Sequence, residues 1–130
     1  MINKQILNKM KIKEDTFVTP YLKTLSIENG IRTDDSNDNI LFEVSMLEDL
    51  EHLSSLLNRS IDQKIWLIFV KPIHKDAVVY RDHPFTPIAE KGYETVAQIS
   101  INERFSALRF RHLNYIKKLN RQDKHKITLR

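Results

Sequence analysis

Hydrophobic and polar residues alternate most regularly over residues 96–113. Isoleucines alternate with polar residues before a polar triplet at residues 102–104, and leucine and phenylalanine alternate with arginine after it. Successive side chains of a strand point to opposite faces, so each half predicts a strand with one apolar and one wet face. The triplet suits a loose turn, because it begins with Asn and lacks Gly. The pattern predicts an antiparallel hairpin, whose apolar face other elements must cover.

The longest uninterrupted apolar run is residues 65–70, Ile-Trp-Leu-Ile-Phe-Val. Six apolar residues rich in β-formers indicate a strand covered on both faces, and we expect it at the centre of the sheet. Residues 40–44 predict a second strand, and residues 16–18 predict a short first strand. Shorter strand-like runs lie at residues 31–33 and 78–80.

Apolar residues at helical spacing predict a set of short helices, at residues 2–11, 21–29, 45–58, 84–91 and 114–122. In the third helix, Ser45 and Glu48 match a capping box. Four leucines form the predicted buried face of that helix: Leu47, Leu50, Leu53 and Leu57. Gly30 and Gly92 stand where two of the predicted helices end.

The order of these elements predicts the fold class. Strands alternate with helices until the final hairpin, which favours an α/β fold: a single mixed sheet flanked by helices and ending in an antiparallel β-hairpin. The chain has 130 residues, which fits one domain. We expect residues 1–122 to form that domain and residues 123–130 to form a frayed basic tail.

Charge is unevenly distributed along the chain, whose net charge is +4. Residues 109–130 hold eight Lys or Arg and one Asp, whereas acidic side chains outnumber basic ones in residues 1–108. The chain has no Cys, which excludes disulfides and thiolate metal sites and suits a reducing cytoplasm. Its first residues lack the apolar run of a secretory signal, and no stretch has the roughly 18 apolar residues of a membrane span. We therefore expect a cytoplasmic protein with no membrane partner.

Several common active-site motifs are missing from the sequence. Two glycines, Gly30 and Gly92, are too few for a phosphate-binding loop, so we expect no nucleotide cofactor and no S-adenosylmethionine. The sequence has no G-x-S-x-G elbow, no calcium-binding loop and no His pair at helical ligand spacing. We expect no cofactor and no metal, and these observations favour a protein that is not an enzyme.

The polar segment at residues 71–83 is the leading candidate for a binding site. It follows the carboxyl end of the predicted central strand, where open α/β sheets place their ligands. Its candidate ligand-binding residues are Lys71, His74, Arg81, Asp82 and His83. Lys and Arg can hold an anion, and His beside Asp can support acid–base catalysis. A plain surface loop is the alternative, because no spacing in the segment is diagnostic.

Basic residues near the C-terminus form a second candidate site. Arg109, Arg111, Lys117 and Lys118 can contact phosphates, and Tyr115 can stack on a base. The alternatives are a solvated terminal segment and a Tyr115 that packs within the last helix.

The run FSALRFR at residues 105–111 resembles the signature of a family of small bacterial proteins of unknown function, which usually reads WSALRFR after an acidic turn. The resemblance extends to other short segments, at residues 65–71, 81–82, 92–94 and 116–118. Phe105 replaces the usual Trp, and the run of lysines and serines that usually follows Lys71 is missing. The family is similar to a shortened methyltransferase α/β fold, whose sheet also ends in an antiparallel hairpin. The resemblance therefore implies that fold and no established activity.

Together these features predict a small non-catalytic binding or regulatory module, whose partner is an unidentified protein or a small anionic ligand. Two alternatives stay open. One is a nucleic-acid or nucleotide binder that uses the basic C-terminal stretch, and the other is a small enzyme whose site is residues 71–83. An exposed sheet edge can also pair two copies of the chain, so a homodimer is one predicted arrangement.

Overall fold

The structure, a computed structural model, describes residues 1–79 and 84–116. Within these residues the elements follow in the order α1 (Lys4–Lys9), β1 (Thr19–Tyr21), β2 (Asn39–Glu43), α2 (Asp49–Ser55), β3 (Lys64–Val70), α3 (Thr86–Ala89), β4 (Tyr93–Ser100) and β5 (Phe105–His112). Residues 113–116 are also helical, which places the start of the last predicted helix. The other residues for which the helix was predicted, 117–122, and the predicted tail lie outside the described residues.

All five strands form one sheet in the order β1-β2-β3-β5-β4. β1, β2 and β3 are parallel, and β5 runs antiparallel to both of its neighbours, β3 and β4. β3 therefore lies in the middle, and each residue from Ile65 to Phe69 is at most 1 % exposed. The predicted α/β class, mixed sheet, buried central strand and terminal hairpin are confirmed. The likeness to methyltransferases stays a prediction.

Helices cover both faces of the sheet and create two cores. On one face, which we call the α2 face, Ile88 of α3 and Leu67 of β3 belong to the same buried cluster as the apolar residues of α2. On the other, the α1 face, Leu7 and Trp66 belong to a second cluster. The indole N–H of Trp66 also donates to the carbonyl of Met10, at the end of α1, over 3.2 Å. This bond ties α1 to the central strand.

The hairpin uses its faces differently from the prediction. Leu108 and Phe110 of β5 face the α2 side, whereas Ile99 and Ile101 pack on the α1 side. Side chains on both faces of β5 are buried or half-buried, and Arg109 is half-buried rather than wet. The expectation of one apolar and one wet face is therefore wrong for β5. β4 is an edge strand and mostly exposed, and the homodimer through such an edge stays a prediction.

Residues 21–29 do not form the predicted helix. The chain leaves β1 and wraps around the carboxylate of Glu43, which is 2 % exposed. Glu43 Oε1 accepts the backbone N–H groups of Lys23, Thr24 and Leu25 at 2.8, 2.9 and 3.0 Å. Three successive N–H groups converge on one oxygen, so the backbone curls around the carboxylate instead of winding into a helix.

The first short strand also lies elsewhere than predicted. β1 begins at Thr19 rather than at residue 16, and it contains Pro20. An edge strand tolerates proline because one side of its backbone has no ladder partner. The strand-like run predicted at residues 78–80 forms a loop over its first two residues, and its third residue is outside the described part of the chain.

α2 is shorter than predicted because a different side chain organises its start. The helix covers Asp49–Ser55. Asp49 Oδ2 accepts the backbone N–H of Ser45 at 2.8 Å, and Glu48 makes no capping bond. The predicted capping box is therefore wrong, and Leu47 lies before the helix with 52 % of its surface exposed.

The two other short helices agree better with the sequence. α1 and α3 lie within the helices predicted at residues 2–11 and 84–91, although both are shorter. Gly92 follows α3 with a φ of 91°, as a helix-ending glycine should. Gly30 has a φ of 97° but follows no helix. Within residues 1–79 and 84–116, no helix combines the length and apolar character that crossing a bilayer requires.

Alanine at Gly92 is expected to destabilise the protein more than alanine at Gly30, although both sites have a positive φ. A Cβ at Gly92 meets His112 Nε2 at 2.9 Å, whereas a Cβ at Gly30 meets nothing within 4 Å. Gly30→Ala thus measures backbone strain alone, about 1–2 kcal/mol. Gly92→Ala adds displacement of a buried ring, about 1–3 kcal/mol more. Urea denaturation compares the two variants, and equal losses would contradict the packing described for His112.

Candidate functional site

A cavity of about 440 Å³ opens at the end of the sheet where β3 begins and β5 ends. Its walls come from the turn before β3, the segment after α3 and the first residue of β4. The lining residues are Leu57, Asn58, Arg59, Ser60, Glu90, Lys91 and Tyr93. Spaces of this size hold small organic ligands. We call this space the Tyr93 cavity.

Side-chain hydrogen bonds fix the turn that supplies one wall. The backbone N–H of Asn58 donates to Gln63 Oε1 at 2.7 Å, and Asn58 Oδ1 accepts the N–H of Ser60 at 3.0 Å. Gln63 is buried, and its amide donates to the carbonyl of Leu56 at 3.0 Å. The backbone that carries Arg59 is therefore held on both sides.

Lys91 supplies a second wall. Its Nζ donates to the carbonyl of Ser54 at 2.7 Å. That carbonyl belongs to the last turn of α2, and it also accepts the backbone N–H of Leu57 at 3.4 Å. An ammonium has three N–H donors, so contacts with the described residues leave two of them for a ligand.

Tyr93 lines the cavity and carries a buried hydroxyl donor. The residue is 4 % exposed, and its hydroxyl has no hydrogen-bond partner among the described residues. Its ring packs edge-on against His112, with ring centroids 4.9 Å apart. Burial raises the pKa of Tyr93 and Tyr115 raises it further, while Arg59 counteracts both. The hydroxyl is thus a neutral O–H donor, and leaving it unpaired costs about 1–3 kcal/mol.

The charges around the cavity favour an anion. Arg59 and Lys91 are cations, and Glu90 is the acidic residue of the lining. Within the described part of the chain, the Arg59 guanidinium makes no hydrogen bond or ion pair; its carbonyl accepts the Tyr115 hydroxyl at 3.2 Å. A lining with one excess positive charge and an unpaired O–H donor fits a carboxylate or phosphate group.

The predicted site at residues 71–83 lies at the opposite end of the strands, where β3 ends and β5 begins. There Lys71 Nζ donates to Ser100 Oγ at 2.8 Å, and the His74 ring nitrogen lies 3.3 Å from the carbonyl of Glu103. Asp76 forms an ion pair with Arg104. These contacts fasten the loop to the turn of the hairpin. The other three predicted residues, Arg81, Asp82 and His83, lie outside the described part of the chain.

The predicted nucleic-acid residues are only partly described. Arg109 and Arg111 follow the α1 side of β5, and Arg111 binds Asp62 through two hydrogen bonds of 3.0 and 2.7 Å. Lys117 and Lys118 lie outside the described residues. The predicted stacking residue Tyr115 is half-buried and donates to a backbone carbonyl instead of standing free.

Sequence patterns did not reveal the Tyr93 cavity. Its walls come from residues 57–60 and 90–93, which are distant in the chain and carry no motif. The one available signal was the approach to the hairpin at residues 92–94, which took part in the resemblance to the bacterial family. No pattern in the sequence therefore indicated that residues 57–60 and 90–93 lie close together.

Comparison with known proteins gives no family for this chain. No family model matches its sequence, and no curated protein matches it either. The resemblance to the bacterial family therefore stays a prediction. Among residues 1–79 and 84–116, no three His, Cys, Asp or Glu side chains are grouped to hold a metal ion.

Proposed function

We propose that the protein is a small binding module that takes a small organic anion into the Tyr93 cavity. One observation carries this proposal: Tyr93, whose buried hydroxyl has no partner among the described residues, lines the cavity together with Arg59 and Lys91. A carboxylate or phosphate oxygen accepts from all three groups, and it supplies the acceptor that the hydroxyl lacks.

Each group has a distinct part in this binding mode. The Arg59 guanidinium offers a planar pair of N–H donors, which matches the two oxygens of a carboxylate or phosphate. Lys91 offers its two remaining N–H donors, and Tyr93 donates its O–H from the buried side. Hydrogen bonds that involve a charged group contribute about 1.5–3 kcal/mol each. Two such bonds and the tyrosine donor support affinity for a small molecule.

Binding rather than catalysis is supported by the composition of the lining. Nucleophilic catalysis needs a nucleophile with a general base in hydrogen-bond reach. Among the described residues of the lining, Ser60 carries the one aliphatic hydroxyl and there is no histidine. The side chains offer donors and charge, which orient a ligand.

The proposal also covers the cellular location of the module and its relation to the bacterial family. The cysteine-free composition supports a cytoplasmic location. The sheet ends in the antiparallel pair of β4 and β5, and β5 lies between β3 and β4. This arrangement supports a relation to the bacterial family and its methyltransferase-like fold. The low glycine content supports a module that has no methyl-donor site.

Isothermal titration calorimetry with inorganic phosphate, and separately with succinate, tests the proposed site. One of the two anions is expected to bind the wild-type protein. Arg59→Ala is expected to weaken binding about 10- to 100-fold, because it removes a charge-assisted pair. Tyr93→Phe is expected to weaken binding about tenfold, the equivalent of one lost hydrogen bond.

Tyr93→Phe also separates a binding role from a structural one. The variant removes a buried donor without a described partner, so the ligand-free protein is expected to unfold at equal or higher urea concentration. Lys75→Ala is the matched charge control, because Lys75 is exposed on the loop at the opposite end of the strands. Absence of heat with both anions, or equal weakening by Lys75→Ala and Arg59→Ala, would remove the proposal.

A further inference from the structure

A second group of cations lies on the α1 face, where β3 begins and β5 ends. The ladder pairs Ile65 with Phe110, so Lys64 and Arg111 stand one step further out, and Arg109 lies opposite Trp66. In these strands the α1 face holds Lys64, Arg109 and Arg111 in one small area.

Charge in this area is only partly compensated. Asp62 pairs with Arg111, and Lys64 Nζ donates to the carbonyl of Lys11 rather than to a carboxylate. Arg109 is half-buried, and its Nε has no hydrogen-bond partner among the described residues. An anion placed beside these side chains gains attraction from several cations.

The pKa values of Lys64 and Arg109 reflect this crowding, whereas the ion pair with Asp62 raises the pKa of Arg111. Burial lowers the pKa of Lys64, and Arg109, Lys13 and Arg111 lower it further, against the opposing effect of Asp62. Burial also lowers the pKa of Arg109, and the positive charge of Arg111 adds to that decrease. The positive charges repel one another in the ligand-free protein, and a bound anion relieves that repulsion.

The same sheet edge continues to an exposed aromatic ring. Asn39 is the ladder partner of Lys64, and its Nδ2 donates to the carbonyl of Phe17 at 2.9 Å. Phe17 is 44 % exposed, and the Arg32 guanidinium lies 5.7 Å from its ring centroid. From β5 to the residues before β1 the edge spans three strand spacings, roughly 14 Å. That length accommodates about four nucleotides at the rise of one DNA strand.

We propose that this sheet edge binds single-stranded nucleic acid, with phosphates at Lys64, Arg109 and Arg111 and a base stacked on Phe17. We call it the basic edge. Cations that track a backbone beside an exposed aromatic platform are the combination that single strands require. An acidic protein surface satisfies the cations but gains nothing specific from the ring. The basic edge lies on the α1 face, so it is separate from the Tyr93 cavity and does not depend on it.

Fluorescence anisotropy of the full chain with a fluorescein-labelled oligouridine of about twelve nucleotides tests the proposal. Binding is expected at about 50 mM salt and is expected to fall steeply by about 200 mM. Lys64→Gln and Arg109→Gln are each expected to weaken binding several-fold and to reduce the slope of log K against log salt by about 0.7. Phe17→Ala is expected to weaken binding about tenfold and to leave that slope unchanged, because stacking releases no counterions.

Two controls make the outcomes separable. Lys75→Gln removes a charge elsewhere and Tyr93→Phe changes the cavity, so both are expected to bind oligouridine like the wild-type protein. The inference is overturned by any of three results: no complex at low salt, full binding by the three basic-edge variants, or equally potent competition by polyglutamate. The second result would assign binding to other cations of the chain, and the third would indicate an acidic protein partner.

Discussion

Replacing Trp66 with alanine is expected to lower the free energy of unfolding by about 4 kcal/mol, among the larger effects of a single substitution. Trp66 lies in β3 with 1 % of its surface exposed, so the change leaves a cavity between the sheet and α1. It also removes the donor to the Met10 carbonyl, which ends α1. Equilibrium urea denaturation measures the loss.

Trp66→Phe is the matched control for this experiment. Phenylalanine keeps an aromatic ring in the core but has no N–H, so the Met10 carbonyl loses its partner. An intermediate loss of about 1–3 kcal/mol is expected from the unpaired carbonyl and the smaller ring. If Trp66→Ala destabilises the protein by less than about 1 kcal/mol, β3 is not the buried centre of the sheet.

Glu43→Ala is expected to be the second strongly destabilising change, at about 3 kcal/mol. The Glu43 carboxylate accepts the N–H groups of Lys23, Thr24 and Leu25 through Oε1 and the Thr24 hydroxyl, 2.6 Å away, through Oε2. Alanine removes the shared acceptor of these donors and the buried Glu43 side chain, which is 2 % exposed. Glu48→Ala is the control, because Glu48 is exposed and is expected to lose only a few tenths of a kcal/mol.

The stability that Glu43 contributes is expected to decrease as the pH falls. Burial acts to raise the pKa of Glu43, but the hydrogen bonds from the Thr24 hydroxyl and from three backbone N–H groups outweigh it and the pKa is lowered. A carboxyl whose pKa is lower in the folded state stabilises that state above the unfolded value, about 4.3, and loses the contribution as the pH falls through the folded value. The advantage of the wild-type protein over Glu43→Gln should therefore be constant near neutral pH and shrink in acid. An advantage that grows in acid would contradict this assignment.

The central strand and the hairpin followed from the sequence because their signals are local. Six consecutive apolar residues need cover on both faces, and only an interior strand offers it. The alternation over residues 96–113 also fixed the two final strands and the turn between them. It did not show that β5 enters the sheet beside β3, since strand order is set by packing and not by the local pattern.

The parts that the sequence did not predict depend on contacts between distant residues. Residues 21–29 have helical spacing, but Glu43, about twenty residues later, captures their N–H groups. The capping box at Ser45 had the right residue types, but Asp49 competes for the same backbone. The Tyr93 cavity exists because the turn before β3 meets the start of β4, and neither segment carries a signal of that encounter.

The most direct test of the proposed function is a two-dimensional amide NMR titration of the protein with inorganic phosphate and then with succinate. The binding anion is expected to shift the amide resonances of residues 58–60 and 91–93 most strongly, together with that of His112, the ladder partner of Tyr93 on β5. Resonances that stay fixed at these positions with both anions, or shifts confined to residues 71–77 at the opposite end of the strands, would contradict an anion site in the Tyr93 cavity.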